Sequence, residues 1–137
     1  MKLKDYGLAL ALMTIMSGAN AHEMTPTYFD LGPSSVPNVD CVKLKLFNRR
    51  TDVNKYQFEA YDEEWVPVAY ASYNREIELQ MGEGADVELF FKRKDRDKVY
   101  YICSRSVLDG NTSISSLICS KVSDDRSAHI TDIGKSK

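Results

Sequence analysis

Val42-Lys43-Leu44-Lys45-Leu46-Phe47-Asn48 decides the architecture of this chain. Apolar Val42, Leu44 and Leu46 alternate with Lys43 and Lys45, the period of two that turns one face of a strand to a core and the other to water. The same period recurs further along. Tyr56, Phe58 and Ala60 alternate with Gln57, Glu59 and Tyr61, and Ile77, Leu79 and Met81 alternate with Glu76, Glu78 and Gln80. Val87, Leu89 and Phe91 continue the pattern after Gly82-Glu83-Gly84. Val99 to Cys103 and Ser116 to Val122 supply two more strands, and Met24 to Leu31 is extended, with Pro26 confining it to an edge or a strand start. Thr51-Asp52-Val53-Asn54 and the charged run 92–98 mark turns, and no helical period lasts three turns. Seven short strands at roughly even spacing predict an all-β, antiparallel sandwich whose inward sets form two facing layers. No repeat and no second domain are visible.

Before these strands, residues 1–21 (MKLKDYGLALALMTIMSGANA) have the form of a secretory leader. Lys2 and Lys4 precede a short apolar core, Leu8 to Met16, and Ala19-Asn20-Ala21 gives a small-x-small cleavage site. That core is about half the ~20 residues of a membrane-spanning helix. The expected organisation is therefore a signal peptide (1–21), a sandwich (22–122) and a polar tail (123–137). The expected location is the periplasm or the exterior, with no stable membrane insertion after cleavage. The whole chain carries a formal charge of −2, and loss of the leader makes it more acidic. Lys92 to Lys98 is diluted by Asp95 and Asp97 and reads as a solvated turn, so no nucleic-acid partner is expected.

An oxidising compartment makes the three cysteines informative. Cys41 falls on the lysine side of its strand, away from the core. Cys103 and Cys119 are equidistant from Asn111 in the turn-like Asp109-Gly110-Asn111-Thr112, so a hairpin folded there sets them opposite one another. The expected disulfide is Cys103–Cys119, closing a loop of about 15 residues worth ~3 kcal/mol by the loop-entropy model. Cys41 is left free or available for an intermolecular bridge.

With the strands laid out, the order resembles the amino-terminal domain of PapD-like periplasmic chaperones, an immunoglobulin-like sandwich. Thr25-Pro26-Thr27, Val42 to Asn48, Tyr56 to Pro67, Ile77 to Gly82 and Tyr100 to Cys103 carry the resemblance. It implies a seven-stranded immunoglobulin-like fold with a disulfide between the sixth and seventh strands, in agreement with the pairing above. Asp97-x-Val99-x-Tyr101-x-Cys103 resembles the tyrosine-corner stretch of the same architecture. Three departures bear on function. Pilus chaperones have two domains where this reading finds one. They anchor a subunit's terminal carboxylate with an arginine on the first strand, where Tyr28 stands, and a lysine that Lys121 could match. Ser115, Ser116 and Ser120 interrupt the bulky run that such chaperones donate.

No serine–histidine–acid arrangement or calcium-loop spacing is present, and Asp62-Glu63-Glu64 reads as a solvated turn. Asn111-Thr112-Ser113 is a glycosylation sequon at the hairpin tip. Cleavage after Ala21 would make His22 the amino terminus, where its amine and imidazole can chelate copper, as in CopC-like copper proteins. Met24 could add a soft ligand, and His129 is the second imidazole of the chain. The aromatics Tyr28, Phe29, Tyr61, Trp65, Tyr70, Tyr73, Phe90 and Tyr100 outnumber the inward positions, so some face outward, where they can mark an interaction patch.

The resulting expectation is a noncatalytic exported module without a cofactor, binding an envelope or surface-assembly protein by strand addition. The predicted edges are Thr25 to Asp30 and Leu117 to Val122. Thr27, Tyr28, Phe29, Leu117, Ile118 and Lys121 are the expected contact residues. The alternative is a periplasmic copper-binding protein built on His22.

Overall fold

The computed structural model describes residues 21–108 and 114–123, so the leader core, the hairpin tip with its sequon, His129 and the tail beyond Ser123 lie outside the described residues. Ten strand segments are present among those described: β1 (Glu23–Thr25), β2 (Tyr28–Phe29), β3 (Gly32–Pro33), β4 (Val39–Phe47), β5 (Lys55–Tyr61), β6 (Ala71–Ser72), β7 (Glu76–Glu78), β8 (Gly84–Lys92), β9 (Tyr101–Ser106) and β10 (Leu117–Val122). One sheet runs β1-β4-β8-β6, with β3 beside β1 on the same flank of β4, and the other runs β2-β10-β9-β5-β7. The protein is an all-β sandwich.

The long strands follow the alternation. Val42, Leu44, Leu46, Val87, Leu89 and Phe91 from one sheet bury against Tyr56, Phe58, Ala60, Ile102 and Val122 from the other. Removing these side chains from water drives the two layers together, at about 25 cal/mol per Å² of apolar surface.

Both flanks of the sandwich are closed by chain that changes sheet. On one flank, β1 pairs with β4 at Thr25↔Lys45, the chain crosses at a cis Thr25–Pro26 bond, β2 pairs with β10, and β3 returns to β4 at Gly32↔Cys41. On the other, β6 pairs with β8 at Ala71↔Phe90 and β7 pairs with β5 at Tyr56↔Ile77. This corrects two expectations. The single extended segment Met24 to Leu31 is two short strands, with a third, β3, just beyond it, and the sheets are not wholly antiparallel, because β2 runs parallel to β10. Pro26, without a backbone donor, stands where the first segment leaves its ladder.

The alternation also fails after Leu79. Leu79 is buried with its N–H on the Asn54 carbonyl, but Met81, expected inward, is 62% exposed, because Gly82 at φ 86° turns the chain there. The charged run 93–98 is a short 3-10 helix rather than a free turn. Arg93 donates through Nε and Nη2 to Asp40 Oδ1 (3.2 and 3.1 Å), and Arg96 Nη1 lies 3.7 Å from Oδ2. Asp40 is fully buried on the inward face of β4, and two guanidinium groups offset the cost of placing a carboxylate there.

Candidate functional site

Three features carry polar or aromatic groups in arrangements beyond simple packing: a polar cluster between the sheets, an aromatic face on the β5–β9–β10 sheet, and a groove with an open edge on the β4–β8 sheet.

The polar cluster starts with His22, whose side chain is 1% exposed. Its Nδ1 lies 2.8 Å from Ser116 Oγ, and its Nε2 is 2.8 Å from Ser104 Oγ and 3.2 Å from the Ser104 carbonyl. The carbonyl can only accept, so Nε2 carries the proton and Nδ1 accepts from the Ser116 hydroxyl, which itself takes a bond from Arg50 Nη1 at 3.3 Å. Burial holds the imidazole below its ordinary pKa, the Ser104 carbonyl opposes this, and the Arg50 charge adds to it. In this structure both nitrogens of His22, the expected copper ligand, are engaged by serines and its ring is closed off from solvent. No group of three or more metal-ligating side chains occurs among the described residues.

Below it, Asn48 is fully buried and uses all four bonding positions of its amide. Nδ2 donates to the Val53 and Leu79 carbonyls (both 2.8 Å), while Oδ1 accepts from Arg50 N–H (2.8 Å) and Tyr56 Oη (2.5 Å). Burial pushes the Tyr56 phenol up to about 12.

The aromatic face lies outside β5 and β9. Tyr61, Tyr101, Lys121 and Tyr28 stand in one cross-strand row, fixed by the registers Tyr61↔Tyr101, Lys121↔Tyr101 and Lys121↔Tyr28. Trp65 lies flat on Tyr101, with ring centroids 4.0 Å apart and planes 9° apart, and remains 50% exposed. Its φ of 63° is unusual for a bulky residue. Asp62 holds that turn by accepting from the N–H groups of Glu64 and Val66 (both 2.9 Å). Cys103 and Cys119 are directly opposite on this outer face, and the predicted disulfide is present at a Cα–Cα distance of 4.0 Å. Beside it, Glu59 pairs with Arg105 at 3.0 Å, which holds the Glu59 carboxyl below its usual range.

The expected contact residues divide. Thr27, Tyr28 and Leu117 are exposed and Lys121 lies in the aromatic row with its Nζ 5.2 Å from the Tyr100 ring. Phe29 is 1% exposed in the core and Ile118 packs against that core, so neither offers a side chain. The first segment is at an edge as expected. The last strand is not. β9 flanks β10 on one side; on the other β2 takes Lys121 and Val122, while His22 and the Pro26 carbonyl hold Ser116 and Ser120.

The open edge belongs to β8. β4 covers it from Gly84 to Lys92, but β6 pairs only with Leu89 and Phe90 before the chain departs for the other sheet. Gly84–Glu88 is thus the longest stretch of strand without a lateral neighbour among the described residues. Asn48 N–H on Glu83 O at one end and Arg93 N–H on Asn38 O at the other fix the phase of the ladder. Ala85, Val87, Leu89 and Phe91 direct their backbone groups to β4, and Gly84, Asp86 and Glu88 direct theirs to the open side.

Next to this edge, the outer face of the same sheet bears a groove of about 620 Å³. Cys41, Glu88 and Phe90 line it from the strands, Val36 from the loop before β4, and Tyr73 from the segment after β6. Tyr73 is 84% exposed and meets Phe90 edge-on at 5.7 Å. Cys41 is a free thiol, half-buried, and burial and its bond to the Glu88 carboxylate raise its pKa, so it is protonated at neutral pH and a poor nucleophile. The outward parity of Cys41 was legible from Lys43 and Lys45. The groove was not, since its lining comes from positions as far apart as Pro33 and Phe90.

No family model matches the chain, and no curated protein matches it. Among solved structures it is similar to a FixG-related protein from Vibrio parahaemolyticus, at 12% identity and a TM-score of 0.40, over 76% of this chain and 98% of that one. A likeness of that degree carries no functional argument.

Proposed function

We propose that this chain is an exported, noncatalytic binding module that takes up an extended segment of another protein, an envelope or surface-assembly component, by strand addition. The observation that carries the reading is the open edge Gly84–Glu88 on a nine-residue strand, the longest stretch of strand without a lateral neighbour among the described residues. An incoming strand would complete the ladder through Gly84, Asp86 and Glu88, and main-chain hydrogen bonds would supply most of the affinity. Every second side chain of that strand would reach the outer face near Phe90 and Tyr73, where the groove gives selection. The Cys103–Cys119 disulfide is the support for an oxidising destination. The PapD-like resemblance contributes the precedent of assembly by strand exchange, on a different strand from the one favoured here.

Photo-crosslinking in the native envelope tests this. A photoreactive side chain placed at Glu88 should capture one recurrent protein, and the adduct should disappear in Asp86→Pro, which removes an outward N–H that the fold itself does not use. The same probe at Gln57, on the outer face of the opposite sheet, should capture nothing recurrent. A partner captured at Gln57 and not at Glu88 would overturn the edge reading.

A further inference from the structure

We infer that the strand this edge accepts alternates basic and apolar residues, with its basic residues on the outer face. The inference rests on the strand-addition reading above and specifies its partner. On that outer face β4 and β8 carry two charged cross-strand rows, Lys43↔Glu88 and Lys45↔Asp86. The acidic member of each row lies on the open side, so the next strand out meets carboxylates. Opposite charges directly across an antiparallel pair are favourable and like charges are unfavourable. A third strand with Lys or Arg opposite Asp86 and Glu88 would extend each row as base, acid, base. On the other face the same strand would meet the inward row of Ala85, Val87 and Leu89, which asks for apolar side chains in between.

The arrangement also argues against the simplest rival occupant, a second copy of this edge. Antiparallel self-pairing centred on the open stretch sets Asp86 against its own copy and Gly84 against Glu88. Two carboxylates face each other at the centre, and no basic side chain of either edge enters the added row. Inward or edge charges of this sort are a common guard against edge-to-edge association.

The test uses the mature chain and two synthetic peptides of about nine residues, one alternating Lys and Val and one alternating Glu and Val, read by fluorescence anisotropy. The Lys peptide should bind about tenfold tighter at low ionic strength, and the difference should shrink in 0.5 M salt. Asp86→Lys together with Glu88→Lys should reverse the preference. Asp86→Pro should abolish binding of both peptides, with far-UV circular dichroism and the melting temperature reporting that the sandwich persists. Equal binding of the two peptides, or no reversal in the lysine variant, would overturn the charge rule while loss of binding in Asp86→Pro leaves the edge reading in place. Binding untouched by Asp86→Pro, or none by either peptide below about 1 mM, would overturn both.

Discussion

Asn48 shows how one side chain can organise a region. It follows directly on β4, and its amide ties the chain before β5 (Val53), the end of the β7 segment (Leu79) and the Tyr56 phenol into one buried knot. Asn48→Leu keeps the approximate volume and leaves two carbonyls, one N–H and one hydroxyl without their partner. Each buried polar group stranded in this way costs about 1–3 kcal/mol, with partial relief by relaxation. We expect a loss of roughly 3 kcal/mol or more in urea unfolding, against no more than about 0.5 kcal/mol for an exposed control such as Gln57→Leu. The sequence marked Asn48 only as the residue where a strand stops. Its role depends on Leu79 and Val53, which no local pattern brings together. His22 is a similar case. The sequence suggests a terminal copper chelate there, and only the fold shows that the ring meets Ser104 and Ser116.

At the scale of elements, legibility follows strand length. β4, β5 and β8 were readable because seven to nine residues of alternation leave little doubt about face, and the β9–β10 disulfide followed from symmetry about one turn. β2, β3 and β6 are two residues long, too short for any period, and owe their extended state to the ladders they join. The sequence predicts only a solvated turn for the 3-10 helix, because its arginines have no visible partner until Asp40, more than fifty residues earlier, is folded beneath them. The disulfide can be removed without opening the core, since it lies on the outer face between adjacent strands. We therefore expect Cys103→Ala with Cys119→Ala to keep its circular dichroism spectrum and lose about 3 kcal/mol of stability, the loop-closure value for this separation. A loss much above 5 kcal/mol would mean that the bridge also holds the packing.

For the whole molecule the decisive contacts are those that tie one sheet to the other. His22 precedes β1 of one sheet and is gripped by β9 and the residue before β10 of the other, and burial beside the Arg50 charge favours the neutral imidazole there. Its folded pKa is lowered, so the unfolded chain binds the proton more readily. The contribution is complete above about pH 6.5 and is lost as pH falls below that value toward the folded pKa, at no more than about 1.4 kcal/mol per pH unit. Urea midpoints measured from pH 7.5 to 5 should fall accordingly, and His22→Gln should be less stable at pH 7.5 but nearly flat over the same range. An equal slope in that variant would place the titration elsewhere.

The β2–β10 pairing has a consequence in time. Tyr28 can meet Lys121 only after almost the entire chain is available, although Tyr28 is among the first residues of the sandwich to be made or exported. A chain delivered amino end first must therefore hold its opening segment in waiting, while β4, β5, β8 and β9 can already begin to pair. Non-local closure of this kind is the slow part of β-sandwich assembly. During that delay the edge of β2 that β10 will cover stands bare. The edge of β8 left open among the described residues thus has a short-lived counterpart, and what distinguishes the folded protein from its nascent form is which of its edges has been left open.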